Sequence, residues 1–447
     1  MTAIAEQLGE GPELDLLYVI GLFDRPADAG CIAALRMPPS ILDLTGNLSS
    51  LDEVGWRDLL ERLRNLGLLA EASHLVHDEL DAHPLVREHF GARLRDNRED
   101  AWKAGHDRLY EYLQTVPDQH QPDTLAVMVP LFQAVHHGCQ AGRHQEALDR
   151  VYRARIRREN GLNLFHKLGV FSADLGLVAS FFDPPFEHPA AGLTKASRAT
   201  LLNFAASNLR ALGRLGEAVA LMREGLKHQL QWENWKSAAI VTSNLSELQL
   251  ALGNVAAALA AGEAAVEHAD RSGYAFHRMS KCTTLADGRH QAGELAAAQA
   301  LFEEAEAMQA ERQPAYPRLY SFQGYRYCDL LLSLDQAEAV RERAIEAQRI
   351  ARWDKWLLNV ALDHLSLGRA ELVLGDWNDA SHRFDEAVDG LREAGRIDHL
   401  PRGLLARAAF FRETKAYKKS RKDLAEVIRI ATRCGMRLYE CDAHLEY

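Results

Sequence analysis

Six anchors recur along the second half of the chain at near-constant spacing: Ala218, Ala258, Ala298, Val340, Ala380 and Ser420. The step is about 40 residues. Five residues before each anchor stands Gly213, Gly253, Gly293, Asp335, Gly375 or Lys415. Four and seven residues after it stand Met222 and Gly225, Gly262 and Ala265, Phe302 and Ala305, Ala344 and Ala347, Phe384 and Ala387, or Leu424 and Val427. Offsets of four and seven share one helical face, and the residue before them suits a tight turn. Each copy is therefore expected to be a helical hairpin. No single hairpin can bury its apolar face alone, so the copies must stack into an array. An earlier, isolated copy is Gly142 with Ala147, Val151 and Ala154.

The fullest copy runs Leu367-Gly368-Arg369-Ala370-Glu371-Leu372-Val373-Leu374-Gly375-Asp376-Trp377-Asn378-Asp379-Ala380. Small residues fall where two helices must come close. This resembles a tetratricopeptide (TPR) repeat, and the period exceeds the roughly 34 residues of a standard TPR, which implies longer helices. The resemblance implies a right-handed α-solenoid superhelix whose first helices line a concave groove, where polar side chains grip a protein or peptide ligand. By repeat register the groove candidates are Asn203, Ser207, Arg210, Asn244, Glu247, Asp287, His290, Tyr325, Asp329, Arg369 and Arg412. Asn244 precedes a leucine in "SNLSEL", a placement that suits a hydrogen bond to an extended peptide backbone.

Composition narrows the function classes. A formal charge of −11 over 447 residues argues against a phosphate-binding surface as the main business. The six cysteines are scattered, form no short paired framework, and read as reduced residues of a cytoplasmic protein. No apolar run reaches the roughly 18 residues of a membrane span, and the start lacks the charged, then apolar, pattern of a signal peptide.

Residues 13–100 read as a different unit. Leu14, Leu16, Leu17, Val19, Ile20 and Phe23 make one apolar helix; a second begins at Asp28 or Ala29 and breaks at Met37-Pro38-Pro39. Ser50 with Glu53 three residues on suggests a capping box opening a third, with Val54, Trp56, Leu59, Leu60, Leu63 and Leu66. Two short strands around a turn are expected over 73–76 and 79–83, before a helix from Pro84. Three helices and a small hairpin form a winged-helix pattern. "GLFDRPAD" (21–28), that third helix and "LDAHPLVREHF" (80–90) resemble the winged-helix domain of STAND signalling ATPases of the NB-ARC and NACHT type. "QAVHHGCQAGRHQEAL" (133–148), "YSFQGYRYCDLLL" (320–332) and "LPRGLLARAAFFR" (400–412) are similar to their TPR-bearing bacterial members.

In that family a nucleotide-binding core precedes the winged helix. This sequence has no G-x-x-x-x-G-K-[ST] loop, so ADP or ATP is expected only if an upstream ATPase module exists. Both ends look cut, which suggests the C-terminal part of a longer protein. The family's Met-His-Asp motif contacts nucleotide phosphate through its histidine. His83 in Ala82-His83-Pro84 matches the histidine alone, and the competing reading is a cap at the start of the Pro84 helix. A DNA-reading role for the third helix is disfavoured: Arg57, Arg62 and Arg64 are interleaved with Asp58 and Glu61, and the first 100 residues hold roughly twice as many acids as bases.

Residues 101–195 read as an irregular helical linker carrying the early hairpin. Arg153, Arg155, Arg157 and Arg158 form a basic cluster best read as a solvated helix end, and the aromatic, Pro-rich loop 181–189 as one that packs on its own domain. His136, His137 and Cys139 lack a zinc spacing, so no metal site is expected. No catalytic motif appears. The expected architecture is thus mainly α: a winged-helix domain over 1–100, the linker over 101–195, and TPR-like repeats over 196–447. The expected function is non-catalytic. It is the sensor region of a STAND-type ATPase in bacterial immune signalling, which would bind a protein or peptide ligand and control autoinhibition and oligomerisation together with upstream ATPase and effector modules. A stand-alone TPR adaptor and a winged-helix transcription regulator are the alternatives.

Overall fold

A computed structural model describes residues 2–71, 79–117, 120–122, 124–158, 169–354 and 356–447. The chain divides into two compact units, residues 1–160 with 190–193 and residues 161–189 with 194–447. Both are helical, and among the described residues no strand forms.

The first unit contains α1 (Thr2–Leu8), α2 (Pro12–Ile20), α3 (Ala29–Arg36), α4 (Gly46–Ser49), α5 (Glu53–Asn65), α6 (Pro84–Asn97), α7 (Glu99–Thr115), α8 (Leu125–Gln140), α9 (His144–Glu146) and a π-helix, Ala147–Arg157. Its centre is α2, in which every residue from Leu14 to Ile20 is buried. At its end Gly21 meets Gly91 of α6 so closely that a Cβ on Gly21 would stand 2.4 Å from the Gly91 amide nitrogen. Asp28 caps α3 by accepting from the Cys31 N–H at 2.9 Å. The expected capping box at Ser50 is corrected: Asp52 caps α5, accepting from Gly55 N–H at 2.8 Å, while Ser50 donates to the Asn47 carbonyl. An aspartate two residues closer to the helix reaches its free N–H groups first.

The first expected strand of the winged-helix hairpin, with the turn after it, lies on residues outside those described. The described part of the second pairs Leu80 with Ala27 through two 2.9 Å backbone bonds. The early hairpin turns at Gly142 as expected, with φ +81°, but its second helix is π-wound. Bonding to the fifth residue on moves the buried face to Ala147, Val151, Tyr152 and Ile156 and leaves Ala154 half-exposed. The basic cluster is built in rather than solvated. Buried Arg155 donates to the His120 and Gln114 carbonyls, Arg158 to that of Pro122, and Arg153 pairs with Asp149.

Buried in this unit, His106 Nδ1 and His137 Nδ1 stand 2.7 Å apart. Only one can carry the shared proton. Burial, with His136 beside them, holds both well below the usual histidine range, His137 to about 3; Asp24 and Arg25, on the connection between α2 and α3, act on His137 with opposite effects. Above pH about 6.5 both are neutral folded and unfolded. Below it the unfolded chain takes up protons that the folded unit refuses, so stability falls by about 1.4 kcal/mol per pH unit per histidine. Thermal melts from pH 7 to 5 should show this loss, and a His106→Leu/His137→Leu double variant should show a shallower slope.

The second unit is an α-solenoid. After α10 (Phe171–Ala179) come six antiparallel pairs: α11 (Lys195–Ala211) with α12 (Leu215–Gln231), α13 (Trp235–Ala251) with α14 (Val255–Ser272), α15 (Ala275–Gln291) with α16 (Leu295–Arg312), α17 (Ser321–Ser333) with α18 (Ala337–Asp354), α19 (Leu357–Leu374) with α20 (Trp377–Glu393), and α21 (Leu400–Glu413) with α22 (Tyr417–Cys434). A last helix, α23 (Arg437–Glu446), follows. Each pair turns where the sequence places it. Gly213, Gly253, Gly293 and Gly375 have φ of +80° to +86°, and Asp335 and Lys415 adopt +59° in their place. The next residue's N–H then closes on the carbonyl five back, as in Arg214 to Leu209 at 2.8 Å and Asp376 to Glu371 at 2.8 Å, satisfying the helix end. All six anchors are buried, five of them completely.

The chain also returns on itself within this unit. The Ile397 N–H donates to the Ala211 carbonyl at 2.8 Å. A Cβ on Gly213 would meet Cys434 Sγ at 2.5 Å, and one on Gly253 would meet Arg437 Cβ at 3.1 Å. The last helices therefore sit on the turns of the first two pairs, and the first helices of the pairs face a common interior.

A charged cavity inside the solenoid

That interior holds a cavity of about 370 Å³. Successive first helices each supply its lining: Arg210 from α11, Glu247 from α13, Asp287 from α15, Tyr325, Arg326 and Asp329 from α17, Arg369 from α19, Arg402 from α21, and Tyr439, Asp442 and Glu446 from α23. The connection before α21 adds Asp398 and His399, and Phe322 adds a ring.

The charges are matched pair by pair. Arg210, 12% exposed in its side chain, donates to Glu247 at 2.6 Å and to Asp398 at 3.1 Å. Arg326 is buried between Glu247 and Asp287; it donates to the Thr284 hydroxyl at 2.9 Å and lies 4.1 Å above the Phe322 ring. Burial alone would raise the Glu247 carboxyl, but Arg326 and Arg210 outweigh it and hold it well below the usual carboxylate range. Asp398 is held low in the same way, against burial, by Arg396 and Arg210. His399 is kept neutral by burial. Arg402 Nε donates to the Tyr439 hydroxyl at 2.6 Å, tying α21 to α23. Asp287 is the exception. Its burial outweighs the nearby guanidinium groups and raises its pKa.

Of the groove candidates, Arg210, Glu247, Asp287, Tyr325, Asp329 and Arg369 line this cavity together. His290 adjoins it, its Nδ1 3.9 Å from Asp329 Oδ2. Arg412 pairs with Glu446 at its edge. Asn203 and Ser207 are not among the lining residues; Ser207 donates to the Asn203 carbonyl on its own helix at 2.8 Å. Asn244 is half-buried and also outside the lining. His83 is exposed, and its Nδ1 accepts from the Leu85 N–H at 3.3 Å, the geometry of a helix cap. Sequence register missed Arg326, Asp398, His399, Arg402, Tyr439 and Asp442. Arg402 was within reach of the repeat register, since it opens the first helix of the sixth pair. Asp398 was not, because it lies on a connection.

No protein family model matches the chain, and no curated protein matches it. Among solved structures, the chain is similar to a STAND protein with a tetratricopeptide repeat sensor from Pyrococcus horikoshii, at 15% identity over 95% of this chain with a TM-score of 0.46. It spans 57% of that protein's length. It is also similar to a Rap protein complexed with competence and sporulation factor, at 13% identity over 86% of this chain and 92% of that one, TM-score 0.47. A third is aspartyl phosphate phosphatase F from Bacillus subtilis, at 11% identity over 85% and 81%, TM-score 0.43.

Proposed function

We propose that the solenoid is a ligand-sensing module whose interior cavity takes a short peptide segment of a protein partner. The observation that carries this reading is the cavity itself. Helices from all six pairs and α23 converge on one space with paired charges of both signs and the aromatic rings of Phe322, Tyr325 and Tyr439. Its volume falls in the range of specific binding pockets. A peptide offers the matching chemistry: backbone donors and acceptors along its length, side chains of either charge, and termini. Asn244, half-buried on α13, would be the residue to bond the peptide backbone.

Within a longer protein this module would be the sensor half of a STAND-type switch in the cytoplasm, as the sequence resemblance implies. The solenoid would hold an upstream ATPase closed around ADP. Ligand binding would release it toward ATP, oligomerisation and effector output. That requires the ligand to bind the open state better than the closed one.

The test is selection of peptides from a random heptapeptide library, followed by fluorescence anisotropy. Ala409 lines the cavity and is half-exposed. An Ala409→Trp variant should fold normally, fill the space, and weaken the selected peptides by at least roughly tenfold, about 1.4 kcal/mol. Equal affinity for wild type and this variant would place the peptides elsewhere.

A further inference from the structure

Three acceptor atoms face one another at the wall of the cavity. Asp287 and His290 lie three residues apart on one face of α15, and Asp329 reaches them from α17. One donor atom of each lies within 4.8 Å of the others. Asp287 is 3% exposed, and its Oδ1 has no hydrogen-bond partner. The His290 side chain is 9% exposed, and its Nδ1 has none either.

The outward atoms of all three groups each face a partner. Asp287 Oδ2 stands 3.5 Å from Arg326 Nε. Asp329 Oδ1 receives Arg369. His290 Nε2 is 2.9 Å from Ser333 Oγ, and that hydroxyl donates to the Asp329 backbone carbonyl at 3.3 Å. With its proton spent there, Ser333 Oγ accepts from His290 Nε2–H. The Nδ1 of a neutral ring then carries a lone pair, aimed between two carboxylates. At 3.9 Å from Asp329 Oδ2 it makes no hydrogen bond of its own. Buried acceptors opposed in this way repel unless a proton or a metal ion lies between them.

We propose that Asp287, His290 and Asp329 form a binding site for one divalent transition-metal ion, of which Zn²⁺ is the best fit. An imidazole nitrogen with two carboxylate oxygens suits that ion, and the cavity leaves coordination positions for water or for a ligand group. The surroundings have the form such sites take, with the far nitrogen of the histidine on a hydroxyl and the far oxygens of the carboxylates each facing a guanidinium. Metal bonds of about 2.1 Å would draw the three donors to roughly 3–3.5 Å from one another. Rotation of the carboxylates supplies that movement. The site stands independently of the peptide reading, because it needs only the chain's own atoms.

The experiment is titration of the EDTA-treated full chain with Zn²⁺ against a chromophoric chelator, and with Co²⁺ followed by visible absorption. One equivalent should bind, with a Co²⁺ spectrum free of a thiolate charge-transfer band. Asp287→Asn and His290→Gln should each weaken binding by at least tenfold while far-UV circular dichroism stays unchanged. Ser333→Ala should weaken it by a smaller factor through the freed ring. Cys441→Ser should leave it unaltered, since Cys441 is the exposed thiol. Absence of saturable one-to-one binding, a thiolate band, or unchanged affinity in an Asp287→Asn/His290→Gln double variant would each overturn the site. Should a variant misfold, the Co²⁺ spectrum of the wild-type chain still decides, because nitrogen and oxygen ligation without sulfur is required.

Discussion

Replacing Arg326 with alanine is expected to destabilise the solenoid by about 3–5 kcal/mol, read as a fall in the urea midpoint. Arg326 is 3% exposed. Its guanidinium answers two buried carboxylates from different helix pairs, Glu247 of α13 and Asp287 of α15, from its own place on α17. Truncation leaves Glu247 to Arg210 alone and leaves Asp287 with no cation in contact. An uncompensated buried charge costs far more than the pair contributed. Loss of the aliphatic stem and of the stacking on Phe322 adds to the effect. Arg326→Lys keeps the charge but cannot fork between two carboxylates, so it should recover only part of the loss. An Arg326→Met/Glu247→Gln double variant should be less damaged than Arg326→Met, because the charge and its partner go together. A double variant no more stable than Arg326→Met alone would show that the stranded Glu247 carboxylate is not the source of the damage.

How much of this was legible follows from how far each feature depends on distant chain. The turns were legible because they are local. A left-handed residue, a carbonyl five back and an anchor five ahead lie within one short stretch, so even Asp335 and Lys415 could be placed without a glycine. The cavity was half legible. Register along the first helices reached Arg210, Glu247, Asp287, Tyr325, Asp329 and Arg369, since equivalent positions of stacked helices must face the same way. It could not reach Tyr439 and Asp442. They enter the cavity only because the array bends until α23 meets the turns of the first two pairs, and that bend is a sum of small rotations over every repeat. Nor could it separate Arg326 from its neighbour Tyr325, as both point inward at the wide face of α17. Asn203 and Ser207 illustrate the converse. Ser207 stands 11 residues before its anchor, as Glu247, Asp287, Asp329 and Arg369 stand before theirs, yet from α11 the lining takes Arg210 and neither Ser207 nor Asn203.

Phe384→Ala is expected to cost about 3–5 kcal/mol, and its partner position makes the reason testable. Phe384 of α20 is fully buried against α19 and α21, with its ring 5.5 Å from that of Phe410. It lies flat on Gly368: a Cβ there would stand 3.1 Å from the ring's Cδ1 and Cε1. The two residues are therefore one packing unit, a large side chain fitted to the absence of another. Gly368→Ala alone sets a helix-propensity gain of about 0.8–1 kcal/mol against overpacking of about 1–3 kcal/mol, so it should be mildly destabilising. In the Phe384→Ala background the ring is gone and the methyl enters the void. There the same substitution should stabilise, and the double-mutant cycle should show coupling of at least about 1 kcal/mol. Additive effects would mean that the helices, not the side chains, set the spacing of α19 and α20. The close approach would then come from the turn at Gly375, and the small residue at each repeat's first helix would be permitted by the fold without being required by it.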